Sequence, residues 1–266
     1  MASVENIVKV MNFHSLIRVD KAKREADKFL NVEDELNKIL YQIVNNQNLK
    51  LDKKILLENP KGIVLNIYIG NDLGFCGNFN HQLQKAIQED KEALKIVIGK
   101  KLFHLEDENI ILKIEKDNFQ NEYEKIDEII TKNIKEKKVK EINVVYNHYY
   151  NVNEIIFERK KLFPVEITTD NIEDINLNID YVIETDVNHL ITSVLALCIC
   201  YQIRIFESNS LASENIMREK ITSESIKKIE EIEEEQEKEE RKRKKQEEFK
   251  KDINNHKNIE RWSYGK

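Results

Sequence analysis

The chain has 266 residues, of which 35% are charged, and its formal net charge at pH 7 is −6. A negative net charge disfavours nucleic acid as the main partner. Only six glycines and two prolines interrupt the chain, so its composition favours long helices over a β protein with many turns.

The N-terminal segment predicts one long helix. Residues 3–57 contain neither glycine nor proline, and apolar residues recur at helical spacing from Ile7 to Val44. Asn59, Pro60 and Gly62 follow directly, and this combination is typical of the end of a helix.

A different pattern follows between residues 63 and 167. Short apolar segments rich in β-branched residues predict strands, and amphipathic segments between them predict helices. The predicted strands are 63–69, 94–98, 110–114 and 141–146, with edge strands at 155–157 and 165–167, and the predicted helices are 79–92 and 121–136. This alternation is typical of βαβ units, so we predict a Rossmann-like α/β domain with a mainly parallel sheet.

The C-terminal segment predicts a second, much longer helix. From residue 187 onward there is no proline, and the only glycine is Gly265. One helix of roughly 70 residues spans on the order of 100 Å. The apolar residues 190–206 resemble a membrane span, but Gln202 and Arg204 interrupt them, whereas a span needs about 20 apolar residues. We therefore interpret this part as a helix buried against the sheet.

Two long terminal helices thus bracket the α/β segment. We predict three parts: an N-terminal coiled-coil helix (1–58), an α/β globular domain (59–186) and a C-terminal coiled-coil helix (187–266). The apolar stripes of the two helices are best buried in an antiparallel coiled coil. The predicted fold class is therefore α/β, with a paired-helix extension.

The three cysteines predict buried thiols. Their number is odd, Cys198 and Cys200 lie in an apolar segment, and we expect no secretory signal at the N-terminus. This pattern fits a reducing compartment better than a disulfide framework. No Cys-x-x-Cys pair occurs and no histidine lies at zinc-ligand spacing from a cysteine, so we predict no metal site.

The glycine-rich residues 70–80 join the first predicted strand to a helix. Their spacing differs from G-x-G-x-x-G and no G-K-[ST] follows, so we interpret them as a tight connection rather than a nucleotide site. The six histidines are scattered, and although His148 follows a predicted strand, no Ser-His-Asp or paired-carboxylate pattern accompanies it. We predict no catalytic and no cofactor-binding residue.

The same turn resembles the S-D-R-G-L-C-G-x-F-N signature of ATP synthase gamma subunits. Four further segments resemble that family in the same order: 96–101, 144–147, 162–164 and 208–218. The matching turn residues are Asp72, Gly74, Cys76, Gly77, Phe79 and Asn80, and the matching helix residues are Ser213, Glu214 and Arg218. The chain is identified as a divergent member of this family, such as the gamma subunit of a mycoplasma F1-like ATPase.

Three departures from the family pattern stand out. Leu73 replaces the arginine of S-D-R-G, and the N-terminal helix shares little identity with the family. The last helix is densely charged where the family is mostly apolar, with an acidic block at 230–240 and a basic block at 241–245. We favour a solvated helix with i,i+4 ion pairs, which is compatible with these charges facing the polar inner wall of a ring.

The resemblance implies a central-stalk rotor subunit of an F1-like rotary ATPase, turning inside a hexameric ring of alpha- and beta-type subunits. ATP, ADP and Mg would then be bound by those partners. The resemblance further implies an epsilon-like subunit as a partner, and either a membrane rotor ring or a substitute that is not a channel. It also implies that the complex lies on the cytoplasmic side, peripheral at the inner face of the cell membrane. The predicted ring-contact residues are Ile7, Val10, Phe13, Ile17, Phe249, Ile253, Ile259 and Trp262.

Three alternatives remain open. The chain is the shaft of an F1-derived motor uncoupled from ion transport, driving a process such as gliding motility, or it is a structural coiled-coil adaptor without an ATPase partner. A small α/β enzyme is the third, and the missing catalytic pattern disfavours it.

Overall fold

The computed structural model describes residues 2–45, 56–151, 154–165 and 186–263, with side chains described for 4–45, 56–151, 154–165 and 186–253. The chain divides into two compact units. The terminal unit comprises Met1–Asn12 and Lys220–Lys266, and the main unit comprises Phe13–Glu219.

The main unit contains a five-stranded sheet. Its strands are β1 (Ile63–Ile69), β2 (Leu94–Ile98), β3 (Ile110–Ile114), β4 (Val139–Asn151) and β5 (Glu154–Phe163), in the order β3-β2-β1-β4-β5. β1 pairs in parallel with β2 and β4, β2 pairs in parallel with β3, and only β5 is antiparallel to its neighbour. The predicted α/β fold with a mainly parallel sheet is confirmed.

The predicted edge strand at 155–157 is confirmed as part of a longer strand, whereas Val165, in the second predicted edge strand, is not in a strand. Residues 154–163 form one continuous edge strand, which pairs with β4 over its length and extends β4 to Asn151. The residues that lengthen this strand beyond 155–157 include Glu154, Glu158 and Arg159, and backbone pairing does not require apolar side chains. Val165 has no regular structure, and residues 166 and 167 lie outside the described residues.

Within the described residues the α-helices are α1 (Ala2–Asn45), α2 (His81–Glu89), α3 (Phe119–Lys135) and α4 (Val187–Ser263). Short 3-10 turns occupy Lys100–Leu102 and Lys116–Asn118. The predicted N-terminal helix does not include residues 56 and 57, which are not α-helical, while residues 46–55 lie outside the described part of the chain.

Buried clusters lie on both faces of the sheet. Strands that are covered on both faces are largely apolar, and β1 shows this pattern. Leu65, Ile67 and Ile69 of β1 pack in one buried cluster with residues of α3 and α4. Tyr68 of β1 faces the opposite side and packs with Leu83 and Ile87 of α2. These clusters fix the sheet between α2 on one side and α3 with α4 on the other.

In the main unit, α1 and α4 pack in antiparallel directions. Leu40 and Ile43 of α1 form a buried cluster with Ile191, Val194 and Cys198 of α4. Further toward the N-terminus of α1, the ring centroid of Phe29 lies 6.2 Å from that of Tyr201. In the terminal unit, the Asn12 amide donates to the hydroxyls of Thr222, at 3.0 Å, and Ser223, at 2.9 Å. The helices therefore pair in the predicted antiparallel sense.

The apolar part of α4 is buried against the sheet, as predicted. By length and composition, one segment within 187–253 is apolar enough to cross a membrane, a criterion that core helices also meet. Leu195, Ile199 and Ile203 are fully buried in the same cluster as the strands.

Candidate functional site: a buried ionic joint

Two segments that resemble gamma-subunit motifs lie against each other in the main unit. The turn of residues 70–80 follows the carboxyl end of β1, and α4 passes it with residues 207–218. We call these two segments, together with Lys116, the joint. Loops at the carboxyl ends of parallel strands are where α/β folds usually carry their functional residues.

Arg218 of α4 connects the two segments directly. Its Nε donates to the carbonyl of Gly74 at 3.2 Å, and its Nη2 donates to the Sγ of Cys76 at 3.1 Å. The same guanidinium pairs with the Glu214 carboxylate one helical turn earlier, at 2.5 Å. Arg218, Glu214 and Cys76 are all buried, so these polar contacts are shielded from water.

Lys116 supplies a second buried cation, which the sequence did not indicate. Its Nζ lies 3.1 Å from the Gly70 carbonyl, 3.3 Å from Ser210 Oγ and 3.3 Å from Glu214 Oε2. Glu214 is therefore held between two cations from different parts of the chain. A buried carboxylate needs such compensation, because removing it from water is costly.

Ser213 connects α4 to β4. Its hydroxyl donates to the Asn147 carbonyl at 2.8 Å, and the Asn147 amide donates to the Phe79 carbonyl at 2.8 Å. Within the turn, the Asn80 amide donates to Asn71 Oδ1 at 2.7 Å. The family-motif residues Phe79 and Ser213 are thus linked through Asn147, and Asn80 is linked to Asn71 within the turn.

Asp72 joins the turn to the ends of two other strands. Its carboxylate accepts the backbone N–H of Lys100 after β2, at 2.6 Å, and that of Asp117 after β3, at 3.0 Å. A carboxylate that accepts two backbone donors is well fixed. Asp72 therefore connects the carboxyl ends of β1, β2 and β3.

The glycines of the turn differ in what they contribute. Gly77 has a φ of 53°, in the left-handed region that favours glycine. A Cβ at Gly70 would lie 2.6 Å from the Leu102 side chain, whereas a Cβ at Gly74 would meet nothing within 4 Å. The tight-connection interpretation thus holds for Gly70 and Gly77, while Gly74 has free space. Leu73 and Phe75 are exposed.

All three thiols are buried and unpaired, which confirms that prediction. Burial raises the pKa of the Cys76 thiol, against the opposing charge of Arg218. Burial also raises the pKa of the Cys198 thiol, to about 12. Cys76 therefore acts as a neutral acceptor for Arg218 rather than as a thiolate.

His148, which follows the predicted strand, lies within β4. Its Nδ1 is 2.7 Å from the Tyr146 hydroxyl, and its ring packs against Tyr150 with centroids 4.3 Å apart. Among the residues whose side chains are described, no group of three or more His, Cys, Asp or Glu is placed to hold a metal ion.

Six of the eight predicted ring-contact residues have described side chains, and all six are exposed: Ile7, Val10, Phe13, Ile17, Phe249 and Ile253. Ile259 and Trp262 belong to α4, but their side chains lie outside the described ones. Exposed apolar side chains at helical spacing on α1 are available to a partner. The ring contact itself stays a prediction.

The charged part of α4 in the terminal unit is exposed from Glu234 to Asp252. Ion pairs at i,i+4 spacing join Glu234 to Lys238, Glu237 to Arg241 and Glu240 to Lys244. This is the arrangement expected of a solvated helix.

With this geometry established, comparison with known proteins decides the family. The ATP synthase family model matches residues 1–254. The chain belongs to the ATP synthase family. The ATP synthase gamma chain of Mycoplasma mobile is 28% identical over 194 residues, which cover 65% of this chain and 66% of that one. The gamma chain of Rickettsia akari is 24% identical over 235 residues, covering 80% and 78%.

The fold agrees with this assignment. The chain is similar to one in the central stalk and c-ring structure of the Tetrahymena thermophila mitochondrial ATP synthase, with a TM-score of 0.56 and 14% identity over 82% of this chain and 99% of that one. The predicted resemblance to ATP synthase gamma subunits is confirmed.

Proposed function

We propose that this ATP synthase family chain is a non-catalytic rotor that couples conformational changes in a ring of alpha- and beta-type ATPase subunits to rotation. The observation that carries the proposal is the buried joint, since it fastens α4 to the strand ends through the residues that mark the family. In this view the ring binds ATP, ADP and Mg and carries out hydrolysis or synthesis.

The joint has the properties that torque transmission needs. A force that moved α4 past the turn would separate Arg218 from Gly74 and Cys76, and Glu214 from Lys116. Separating one partner of a buried ion pair leaves an uncompensated charge, at a cost of about 3–5 kcal/mol. The helix and the α/β sheet of the main unit are therefore expected to move as one body.

The exposed apolar residues of α1 supply contacts for the ring. A rotor responds to its ring only if ring states differ in their affinity for it. Phe13 and Ile17 in the main unit are exposed although they are apolar, and burial in a partner stabilises such side chains by about 25 cal/mol per Å².

We place the complex at the cytoplasmic side of the cell membrane.

An F1-derived motor that is uncoupled from ion transport is the second candidate. Two observations favour it: Leu73 stands exposed where the family has an arginine, and the exposed residues 234–252 of α4 are mostly charged. Both alter surfaces that a conventional synthase rotor presents to its partners.

Mild affinity purification of the tagged chain, with partners identified by mass spectrometry and ATPase activity assayed, tests both candidates. Ring ATPase subunits together with membrane channel subunits are expected for a coupled rotor, and ring subunits without channel subunits for an uncoupled motor. Recovery of the intact chain without any ATPase subunit, under conditions that preserve complexes, would overturn the rotor proposal in favour of a structural adaptor.

A further inference from the structure

A cavity of about 320 Å³ lies beside the joint in the main unit. Residues from α1, from the turn after β1, from the start of α3 and from α4 line it, among them Arg18, Glu25, Asp72, Lys116 and Glu207. Its volume is within the range of sites that hold small organic ligands or single side chains.

Glu207 is a charged residue of this cavity lining that makes no ion pair within the described residues. Its side chain is buried, with a residue exposure of 8%, yet none of the described residues donates a hydrogen bond to its carboxyl group. Buried carboxyl groups in folded proteins almost always have a donor. Glu207 lines both this cavity and a neighbouring one of about 290 Å³. A ligand in either cavity would therefore lie next to Glu207.

The nearest buried cation is not available to Glu207. Lys116 Nζ donates hydrogen bonds to Gly70 O and Ser210 Oγ, and it forms an ion pair with Glu214 at 3.3 Å. Arg204, one turn before Glu207, lies with its guanidinium 3.7 Å from the centroid of Tyr123 and 3.8 Å from Asp127. Lys116, which is buried, and Arg204, whose side chain is 30% exposed, are therefore both engaged elsewhere.

The charges that face the cavity favour a cation over a neutral donor. On α1, Lys21 lies 3.9 Å from Glu25 and offsets it, which leaves Arg18 as the one further cation of that helix in the lining. Against it stand the carboxylates of Asp72, Asp117 and Glu207. Burial raises the pKa of Glu207 to about 7, with Glu214, Glu25 and Asp72 adding to the rise and Lys116 opposing it.

The walls suit the stem of such a cation. Leu73, Phe119 and Leu211 line the cavity beside Glu207, and apolar or aromatic walls accept the methylene groups and flat face of a basic side chain. Arg204 already shows this chemistry within the chain, since it lies between an aromatic ring and a carboxylate.

We propose that this cavity binds an organic cation, an alkylammonium or guanidinium group, with Glu207 as its carboxylate partner. The group belongs either to a basic side chain of a partner subunit or to a small free amine. The inference concerns the isolated chain and does not depend on the rotor function.

Calorimetric titration of the full-length chain at pH 8 with agmatine tests the proposal, with 1,4-butanediol as the uncharged comparison. Agmatine is expected to bind and butanediol is not. Glu207→Gln, which keeps the shape and removes the charge, should weaken agmatine binding about tenfold or more. Glu124→Gln, an exposed carboxylate of α3 outside the cavity, should leave it unchanged.

The assembled complex distinguishes the two sources. If agmatine binds the isolated chain but not the complex, a partner's basic side chain occupies the cavity. If it binds both, a free amine is the ligand. Absence of binding to the isolated chain, or equal binding by wild type and Glu207→Gln, would overturn the proposal, and circular dichroism of the variant confirms that it is folded.

Discussion

The guanidinium of Arg218 donates a hydrogen bond to the thiol of Cys76 across 3.1 Å, although 142 positions separate the two residues in the sequence. The contact brings together the two segments that most resemble gamma subunits. Because Arg218 also pairs with Glu214, one side chain connects the turn after β1 to α4 and neutralises a buried carboxylate.

Replacing Arg218 should weaken the main unit strongly. Arg218→Met keeps most of the volume but leaves Glu214 paired with Lys116 alone among the described residues, and we expect the free energy of unfolding in urea to fall by about 3 kcal/mol. Arg218→Lys should recover part of the loss. Lys85→Met, which removes an exposed ion pair with Glu89 on α2, serves as control and should change stability by less than about 0.5 kcal/mol. An equal effect of Lys85→Met and Arg218→Met would contradict this account of the joint.

Two glycines of the same turn should respond differently to alanine. Gly77→Ala forces a side chain into the left-handed region, since Gly77 has a φ of 53°, and should cost about 1–2 kcal/mol. Gly74→Ala places its Cβ in open space and should be neutral or slightly stabilising. Thermal unfolding of both variants measures the difference, and the reverse order would mean that the turn adopts another conformation in solution.

Glu207 should make stability depend on pH between about 4.5 and 7. Its pKa is raised by burial from 4.5 to about 7, so the folded chain holds the proton more tightly than the unfolded chain. That contribution to stability is complete below pH 4.5 and is lost as the pH rises through 7. Glu207→Gln removes the dependence, and should therefore raise the free energy of unfolding at pH 8 by on the order of 3 kcal/mol relative to wild type.

At pH 4 the same variant should match wild type, because the wild-type carboxyl group is then neutral in both states. Urea unfolding at the two pH values gives the comparison. A Glu207→Gln chain no more stable than wild type at pH 8 would show that the carboxylate is ionised without penalty.

A substitution at the predicted ring contact Phe13 should affect the assembled complex but not the folding of the isolated chain. Phe13 is exposed, so Phe13→Glu should change the melting temperature of the isolated chain little, but should lower ATPase activity or assembly in a complex reconstituted with its ring subunits. Val32→Glu is the control, because Val32 of α1 is also apolar and exposed but lies outside the predicted contact set. This variant should keep the wild-type melting temperature, ATPase activity and assembly. Full activity of Phe13→Glu would remove Phe13 from the contact surface.

The periodicity of apolar residues by itself determined most of the secondary structure. The segments that became β1, β2 and β3 have the predicted bounds, and α3 differs by about two residues at its N-terminal end. Such segments can be predicted from the sequence, because burial of one or both faces requires a regular pattern of apolar residues. The full length of the β4–β5 pair was not predicted from the sequence, since its backbone hydrogen bonds continue through charged residues such as Glu158, Arg159 and Lys160.

The family-motif residues were also visible in the sequence, but what they do was decided by the tertiary structure. Nothing local indicates that Lys116 and Glu207 are buried, because charged residues in a turn and on a helix usually face water. The packing of α4 across the strand ends brings Lys116, Glu214 and Arg218 within hydrogen-bonding distance and leaves Glu207 facing a cavity. The sequence therefore determined the elements and the family, whereas the joint exists only because distant charges compensate one another once water is excluded.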